Sequence, residues 1–433
     1  MVTQTSDNPN ENSAGRPRRV LILGSTGSIG RQTIEVINAL NAAHDRGAWR
    51  SRYEIVGLAA GTNTAALLAQ ASSLGVGDVA IGANTDDVRA PSGVTLLTGP
   101  DAAERLVRTV DADLVVAAIV GFAGLGATFA AIERGVDVAL ANKETLVAAG
   151  ELVIGAARGV GGVGVSILPI DSEHSGIWQC LAGTTAPPMS LEATVRRVTI
   201  TASGGPFLGW PKERIRNATL AQALRHPTWS MGPKVTIDCA SLTNKALELI
   251  EAHWLFGLGP DRLGAVIHPQ SIVHALVEFT DGSTIAQLGA PDMRTPIQYA
   301  LTHPLRAPGI SDTPPNGAMQ SMRFDEPDLD RFPALGVAER VMRQGGVSGA
   351  VFNAANEAAV EAFIAGEIPF GRIPELSIGA LDAIVGQAGN APLRSLDDVR
   401  EADALGRRYV GLELHPEPGG MTIQGKKTSV SGR

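Results

Sequence analysis

Six short apolar runs in the first third of the chain, RRVLILG, YEIVGLAAG, DVAIGAN, VTLLTG, LVVAAIV and VDVALAN, alternate with segments of helical period. Uninterrupted apolar strands need cover on both faces, so this alternation specifies a parallel sheet wrapped by helices. The expected fold class is α/β, opening with a doubly wound, Rossmann-like domain over residues 18–169. Leu114 to Ile132 is a stretch of nineteen uncharged residues, long enough to raise the question of a membrane span. Gly121, Gly124 and Gly126 interrupt it, and it divides into a strand, a glycine turn and a helix, so it reads as buried core.

The pattern then changes. RRVTITASGG, KVTID, AVIHP, SIVHALVEF and STIAQLG read as strands around one helix, SLTNKALELIEAHWLF. Asp281-Gly282 between two of these runs is a hairpin signal. Residues 170–303 are therefore expected to form a central α+β domain, with the loop at 225–232 a candidate cover over a ligand. The proline- and glycine-rich residues 304–331 read as a linker, and residues 332–411 as a C-terminal helical domain. Residues 1–17 and 412–433 are polar and are expected to be disordered.

Composition narrows the function. A net charge of −8 argues against a nucleic-acid binder but leaves room for a local basic pocket. Two cysteines, Cys180 and Cys239, cannot build a disulfide framework, which points to a reduced, cytoplasmic setting. The first residues lack the apolar core of a signal peptide.

Several motifs carry possible chemistry. Gly24-Ser25-Thr26-Gly27-Ser28-Ile29-Gly30 follows a strand and opens a helix, the place where a pyrophosphate can rest on a helix N-terminus; a nucleotide-free glycine turn is the alternative. The next strand ends in Gly61-Thr62-Asn63 without a carboxylate, which leans toward NADP, although no compensating arginine is nearby. Asn142-Lys143-Glu144 lies at the carboxyl edge of the sheet and serves either a ligand or a capped helix start. Asp171-Ser172-Glu173 after another strand reads as extended, with both carboxylates on one side and Ser172 on the other; a cation site and a solvated turn both fit. Asn244 and Glu248 share a helix face, where Glu248 could complete that site or pair with Lys245. The loops at Ser203 and at His226, Trp229, Met231 and Gly232 offer phosphate donors and a cover over a ligand, or are structural.

Taken together, GSTGSIG, ANKE, DSEHS, SGGPF, RHPTWSMG, NKALELIEA, IHPQSIVHALVEFTDGS, LGAPDMRTP and NAANE resemble the 1-deoxy-D-xylulose 5-phosphate reductoisomerase family from about Arg18 to Val410. The resemblance implies conversion of that ketose phosphate to 2-C-methyl-D-erythritol 4-phosphate with NADPH and Mn²⁺, Mg²⁺ or Co²⁺, by a cytoplasmic homodimer. It implies cofactor contacts from Thr26, Gly27, Ser28, Ile29, Gly61, Thr62, Asn63, Asn142, Glu144 and Gly232, and metal ligation by Asp171, Glu173 and Glu248. Lys143, Glu173 and His226 are the implied catalytic residues. Substrate contacts are implied for these three and for Ser172, Ser203, Trp229, Met231, Cys239, Asn244, Lys245 and Glu248.

Two departures stand out. Cys239 replaces a usual serine and donates hydrogen bonds more weakly. Thr62 stands where some members have lysine. The competing readings are an ordinary NADP-dependent dehydrogenase of another small phosphorylated or acidic substrate, and a non-catalytic NADPH-binding protein.

Overall fold

A computed structural model describes residues 16–84, 89–159, 164–181, 183, 185–314, 317, 321–386 and 390–416. The apolar runs form a seven-stranded sheet from β1 (Arg18–Leu23), β2 (Tyr53–Ala60), β3 (Asp78–Ile81), β4 (Thr95–Thr98), β5 (Leu114–Ala117), β6 (Asp137–Leu140) and β7 (Ile167–Pro169). Its order is β4-β3-β2-β1-β5-β6-β7, and every pairing is parallel. Val20 to Leu23 and Leu114 to Val116 are sealed from solvent, as strands covered on both faces must be. The chain runs outward from β1 to β4 and returns through β5 on the other side of β1. That reversal leaves a crevice at the carboxyl ends of β1 and β5, where such sheets bind ligands.

Helices α1 (Ser28–Asp45), α2 (Thr64–Leu74), α3 (Ala102–Thr109), α4 (Leu125–Glu133) and α5 (Glu144–Gly159) connect these strands. Residues 114–132 divide as expected into β5, a turn and α4. Among the described residues no helix is long and apolar enough to cross a membrane.

After α6 (Ser172–Cys180), a four-stranded sheet forms from β8 (Val195–Ala202), β9 (Leu263–Ile267), β10 (Val273–Phe279) and β11 (Thr284–Leu288), in the order β11-β10-β8-β9. The Asp281-Gly282 hairpin joins β10 to β11 antiparallel, β10 and β8 are also antiparallel, and β8 and β9 are parallel. Between β8 and β9 lie α7 (Lys212–Arg216), α8 (Leu220–Ala223), α9 (Pro233–Ala240) and α10 (Thr243–Phe256).

One strand expectation is corrected. KVTID is helical, within α9. Its alternating Val235 and Ile237 imitate a strand, but Pro233 takes the first helical position, where its missing N–H costs nothing.

Helix α11 (Arg294–Thr302) precedes the proline-rich segment, and α12 (Ala334–Gln344), α13 (Ser348–Ala365), α14 (Arg372–Leu381) and α15 (Leu396–Leu414) follow it. Helix α13 is buried along most of its length and packs on α5, α14 and α15. Helix α15 continues past residue 411 to Leu414, which corrects the expected start of a disordered tail; residues 417–433, like 1–15, lie outside the described ones.

Candidate active site

The glycine loop places its residues by close packing. Gly24 has φ +83°, and a Cβ there would run into the Ala118 carbonyl at the end of β5; a Cβ on Gly30 would strike the Gly24 carbonyl. Only glycine lets the first turn of α1 come this near the crevice. Gly27 caps α1 without a side-chain bond, so the helix presents uncapped N–H groups to the opening. These are the donors an anionic pyrophosphate needs, so the loop fits a dinucleotide.

A cavity of about 740 Å³ extends from this loop to α10. It is lined by Gly27, Ser28 and Ile29, by Asn142, Lys143 and Glu144 after β6, and by Asp171, Ser172 and Glu173 after β7. Ser203, His226, Trp229, Met231, Gly232, Cys239, Asn244, Lys245 and Glu248 also line it. Thr26, Gly61, Thr62 and Asn63 do not line it. Thr26 is half-buried in the turn after β1, the other three are exposed after β2, and Asn63 uses its side chain to cap α2.

The extended reading of Asp171-Ser172-Glu173 is corrected. Asp171 is the N-cap of α6, and the other two residues form its first turn. The carboxylates still converge, because the turn wraps them around the helix N-terminus. Ser172 faces the same cavity and donates to Glu173 Oε2 at 2.5 Å. Ligand oxygens of Asp171, Glu173 and Glu248 lie within 4.8 Å of one another.

Two ammonium groups hold this triad. Lys143 Nζ contacts Asp171 and lies 3.0 Å from Glu248 Oε1 and from Asn244 Oδ1. Lys245 Nζ donates to Glu173 Oε1 at 2.7 Å and contacts Glu248 Oε2. Glu248 therefore does pair with Lys245, but in the interior and not on a solvated face. Three carboxylates against two ammoniums leave one negative charge. Burial, reinforced by Glu173, pushes the Glu248 carboxyl above its usual range despite both lysines. Burial opposes charge on Lys143 too, but Asp171 and Glu248 carry its ammonium well above the usual value. An all-oxygen triad short of positive charge fits a hard divalent cation.

Elsewhere on the cavity wall, His226 Nδ1 accepts the backbone N–H groups of Thr228 at 3.2 Å and Trp229 at 2.9 Å. The proton therefore sits on Nε2, 3.1 Å from Ser203 Oγ. Ser203 Oγ also accepts from Gly205 N at 3.1 Å, which leaves its own O–H free for an anion. Asn244 and Lys245 come from the first turn of α10, which begins after Leu242 bends the chain at φ 59°. A hydroxyl, an amide and an ammonium thus line one cavity as potential anion donors.

Sequence reasoning missed a layer behind this wall. His174 and Glu251 are fully buried, and His174 Nδ1 lies 3.2 Å from Glu251 Oε2. They also meet Asp171 within 4.8 Å, but neither lines the cavity. Lys234 was missed as well: it lines the cavity and bonds to Glu144. Its signal in the sequence was the i, i+4 pair with Asp238, hidden by the strand-like alternation of its neighbours.

Family models match three stretches: 1-deoxy-D-xylulose 5-phosphate reductoisomerase over residues 20–150, the C-terminal domain of that enzyme over 167–256, and a DXP reductoisomerase C-terminal domain over 288–409. A relative so named from Pelotomaculum thermopropionicum is 45% identical over 396 residues, covering 90% of this chain and 97% of its own. Another from Mycobacterium avium is 45% identical over 406 residues, covering 92% and 94%. A DOX-P reductoisomerase solved with NADPH, fosmidomycin and magnesium superposes with a TM-score of 0.82 at 35% identity, over 92% of this chain and 98% of that one. The Zymomonas mobilis enzyme, solved with NADPH, gives 0.80 at 38% identity over 93% and 100%. At this identity and coverage, the chain belongs to the 1-deoxy-D-xylulose 5-phosphate reductoisomerase family.

Proposed function

We propose that the protein converts 1-deoxy-D-xylulose 5-phosphate to 2-C-methyl-D-erythritol 4-phosphate, using NADPH and a divalent cation, in non-mevalonate isoprenoid biosynthesis. The observation that carries this reading is the junction, in one cavity, of the Asp171, Glu173 and Glu248 triad with a dinucleotide loop. Hydride transfer alone would need no such triad, so an ordinary dehydrogenase is not favoured.

Asp171, Glu173 and Glu248 would hold Mg²⁺, Mn²⁺ or Co²⁺, which supplies stabilisation of negative charge on vicinal substrate oxygens during carbon–carbon rearrangement. Lys143 would donate to a substrate hydroxyl or carbonyl oxygen from its place beside Asp171 and Glu248. Ser172 would hold a further substrate oxygen. Ser203, Asn244 and Lys245 would bind the phosphate, with the Cys239 thiol as a weak donor beside them. His226, fixed as the Nε2–H tautomer, would orient the Ser203 hydroxyl toward that phosphate. Trp229 and Met231 would cover the substrate and exclude water from the site. Gly27, Ser28 and Ile29 would take the pyrophosphate of NADPH, with Thr26, Gly61, Thr62 and Asn63 along its exposed end and Asn142, Glu144 and Gly232 nearer the nicotinamide. We further take the working form to be a cytoplasmic homodimer, as the family resemblance implies.

The test is NADPH oxidation by the purified protein with 1-deoxy-D-xylulose 5-phosphate, before and after EDTA. Substrate-dependent oxidation that chelation abolishes and Mn²⁺ restores is the expected result. Oxidation indifferent to EDTA would reject the metal assignment, and no oxidation with Mn²⁺ present would reject the activity.

A further inference from the structure

Lys234 stands just downstream of the 225–232 loop, and no chemical step above employs it. Its Nζ donates to Glu144 Oε1 at 2.5 Å and lies 3.0 Å from Asp238 Oδ2, one turn along α9. Side-chain exposures of 18%, 5% and 1% for Lys234, Glu144 and Asp238 make this an interior joint and not a surface ion pair. Glu144 opens α5 directly after Lys143, on the wall shared with the glycine loop. The downstream end of the loop that carries His226, Trp229 and Met231 is therefore tied to the cofactor side of the cavity.

Helix α13 backs the joint. Asn356 Nδ2 donates to Asp238 Oδ1 at 2.9 Å, and the neighbouring Glu357 Oε1 accepts the Phe122 backbone N–H at 3.2 Å. Asn142 Nδ2 donates to the adjacent Gly121 carbonyl at 2.9 Å. One buried helix thus fastens both the base of the loop and the turn beside Asn142, so a shift at either is resisted at the other.

We propose that Lys234 is a positioning residue that couples occupancy of the cofactor wall to the substrate-covering loop through Glu144. The inference rests on the functional reading above. A ligand that fixes Glu144 also fixes the base of the loop, so a second ligand beneath that loop meets a partly ordered partner and binds more tightly.

The experiment measures the dissociation constant of fosmidomycin with Mg²⁺, with and without NADPH, by calorimetry on the full chain. In the unaltered protein NADPH is expected to tighten fosmidomycin by about 5–150-fold, the usual span of coupling between sites. K234Q is expected to reduce that ratio to within about threefold, and K234R, which keeps the charge, to hold a ratio clearly above K234Q. A role confined to stability would lower the melting temperature of K234Q and leave the ratio intact, and that result would overturn the proposal. An equal loss in K234R and K234Q would overturn it too. Should K234Q fail to fold, N356A frees Asp238 while leaving every cavity group in place. A lowered ratio there supports the coupling, and an unchanged one counts against it. If the unaltered protein turns over 1-deoxy-D-xylulose 5-phosphate yet shows no coupling, this inference alone fails. No turnover at all would instead remove the functional reading.

Discussion

His174 on α6 reaches across to α10 and donates from Nε2 to the backbone carbonyl of Glu248 at 2.7 Å. Asp171 caps α6, Glu173 lies in its first turn and Glu248 belongs to α10, so this bond sets the spacing between the two halves of the acidic triad. A carbonyl can only accept, so Nε2 carries the proton of this bond, and Nδ1 faces Glu251 Oε2 at 3.2 Å. Replacing His174 with phenylalanine is expected to weaken Mn²⁺ binding by about 10–100-fold, the usual effect of losing an outer partner of a metal ligand. NADPH affinity should hold. Calorimetry with each ligand separates the two effects.

Glu248 is gripped by Lys143 on one oxygen and Lys245 on the other. Glu248→Gln removes a charge that the proposed cation needs, while the amide keeps one acceptor for a lysine. The variant is expected to fold, to bind NADPH, and to lose the rise in melting temperature that Mn²⁺ gives the unaltered protein. A thermal melt with and without Mn²⁺ reads this directly; full metal-dependent turnover in the variant would take Glu248 out of the site.

Burial lowers two imidazoles, His226 and His274, from 6.5 to about 4 each. The folded protein therefore binds fewer protons at these positions than the unfolded chain does. Their contribution to stability is complete above pH 6.5 and is lost as pH falls from there through about 4. Melting temperature should decline across that window, and His274→Gln should make the decline shallower. A slope unaltered by the substitution would show that His274 is not protonated on unfolding.

Cys239 lines the cavity beside the proposed phosphate donors, and burial, reinforced by Glu248, pushes its thiol up. It remains protonated at neutral pH and should react slowly with iodoacetamide. Cys239→Ser adds a stronger donor, so the substrate KM should fall by roughly 2–10-fold, equivalent to about 0.5–1.5 kcal/mol, with kcat similar. An unchanged KM would mean that the side chain does not meet the phosphate.

The parallel sheet was legible because its strands are continuous apolar runs with no other way to be buried, as Val20 to Leu23 show. The candidate site was legible to the extent that its residues cluster at strand ends and in the first turns of helices. Period failed where packing overrode it. Val235 and Ile237 alternate like a strand, yet Pro233 and the Lys234–Asp238 pair favour the helix they form. Asp171 and Glu173 meet through a helical turn instead of an extended one, an outcome that spacing by two cannot distinguish. Helix α15 has a clear start in the capping box of Ser395 and Asp398. His174 and Glu251 gave no warning, because a buried polar pair acquires its meaning only from partners far away in the chain.

The most direct measurement is diffraction from crystals soaked with Mn²⁺ and fosmidomycin, collected for the anomalous signal of manganese. The account predicts one strong peak within bonding distance of carboxylate oxygens from Asp171, Glu173 and Glu248, with Lys143 and Lys245 displaced from their present contacts. A peak elsewhere, or none at saturating Mn²⁺ with the lysines still seated on those carboxylates, would contradict it.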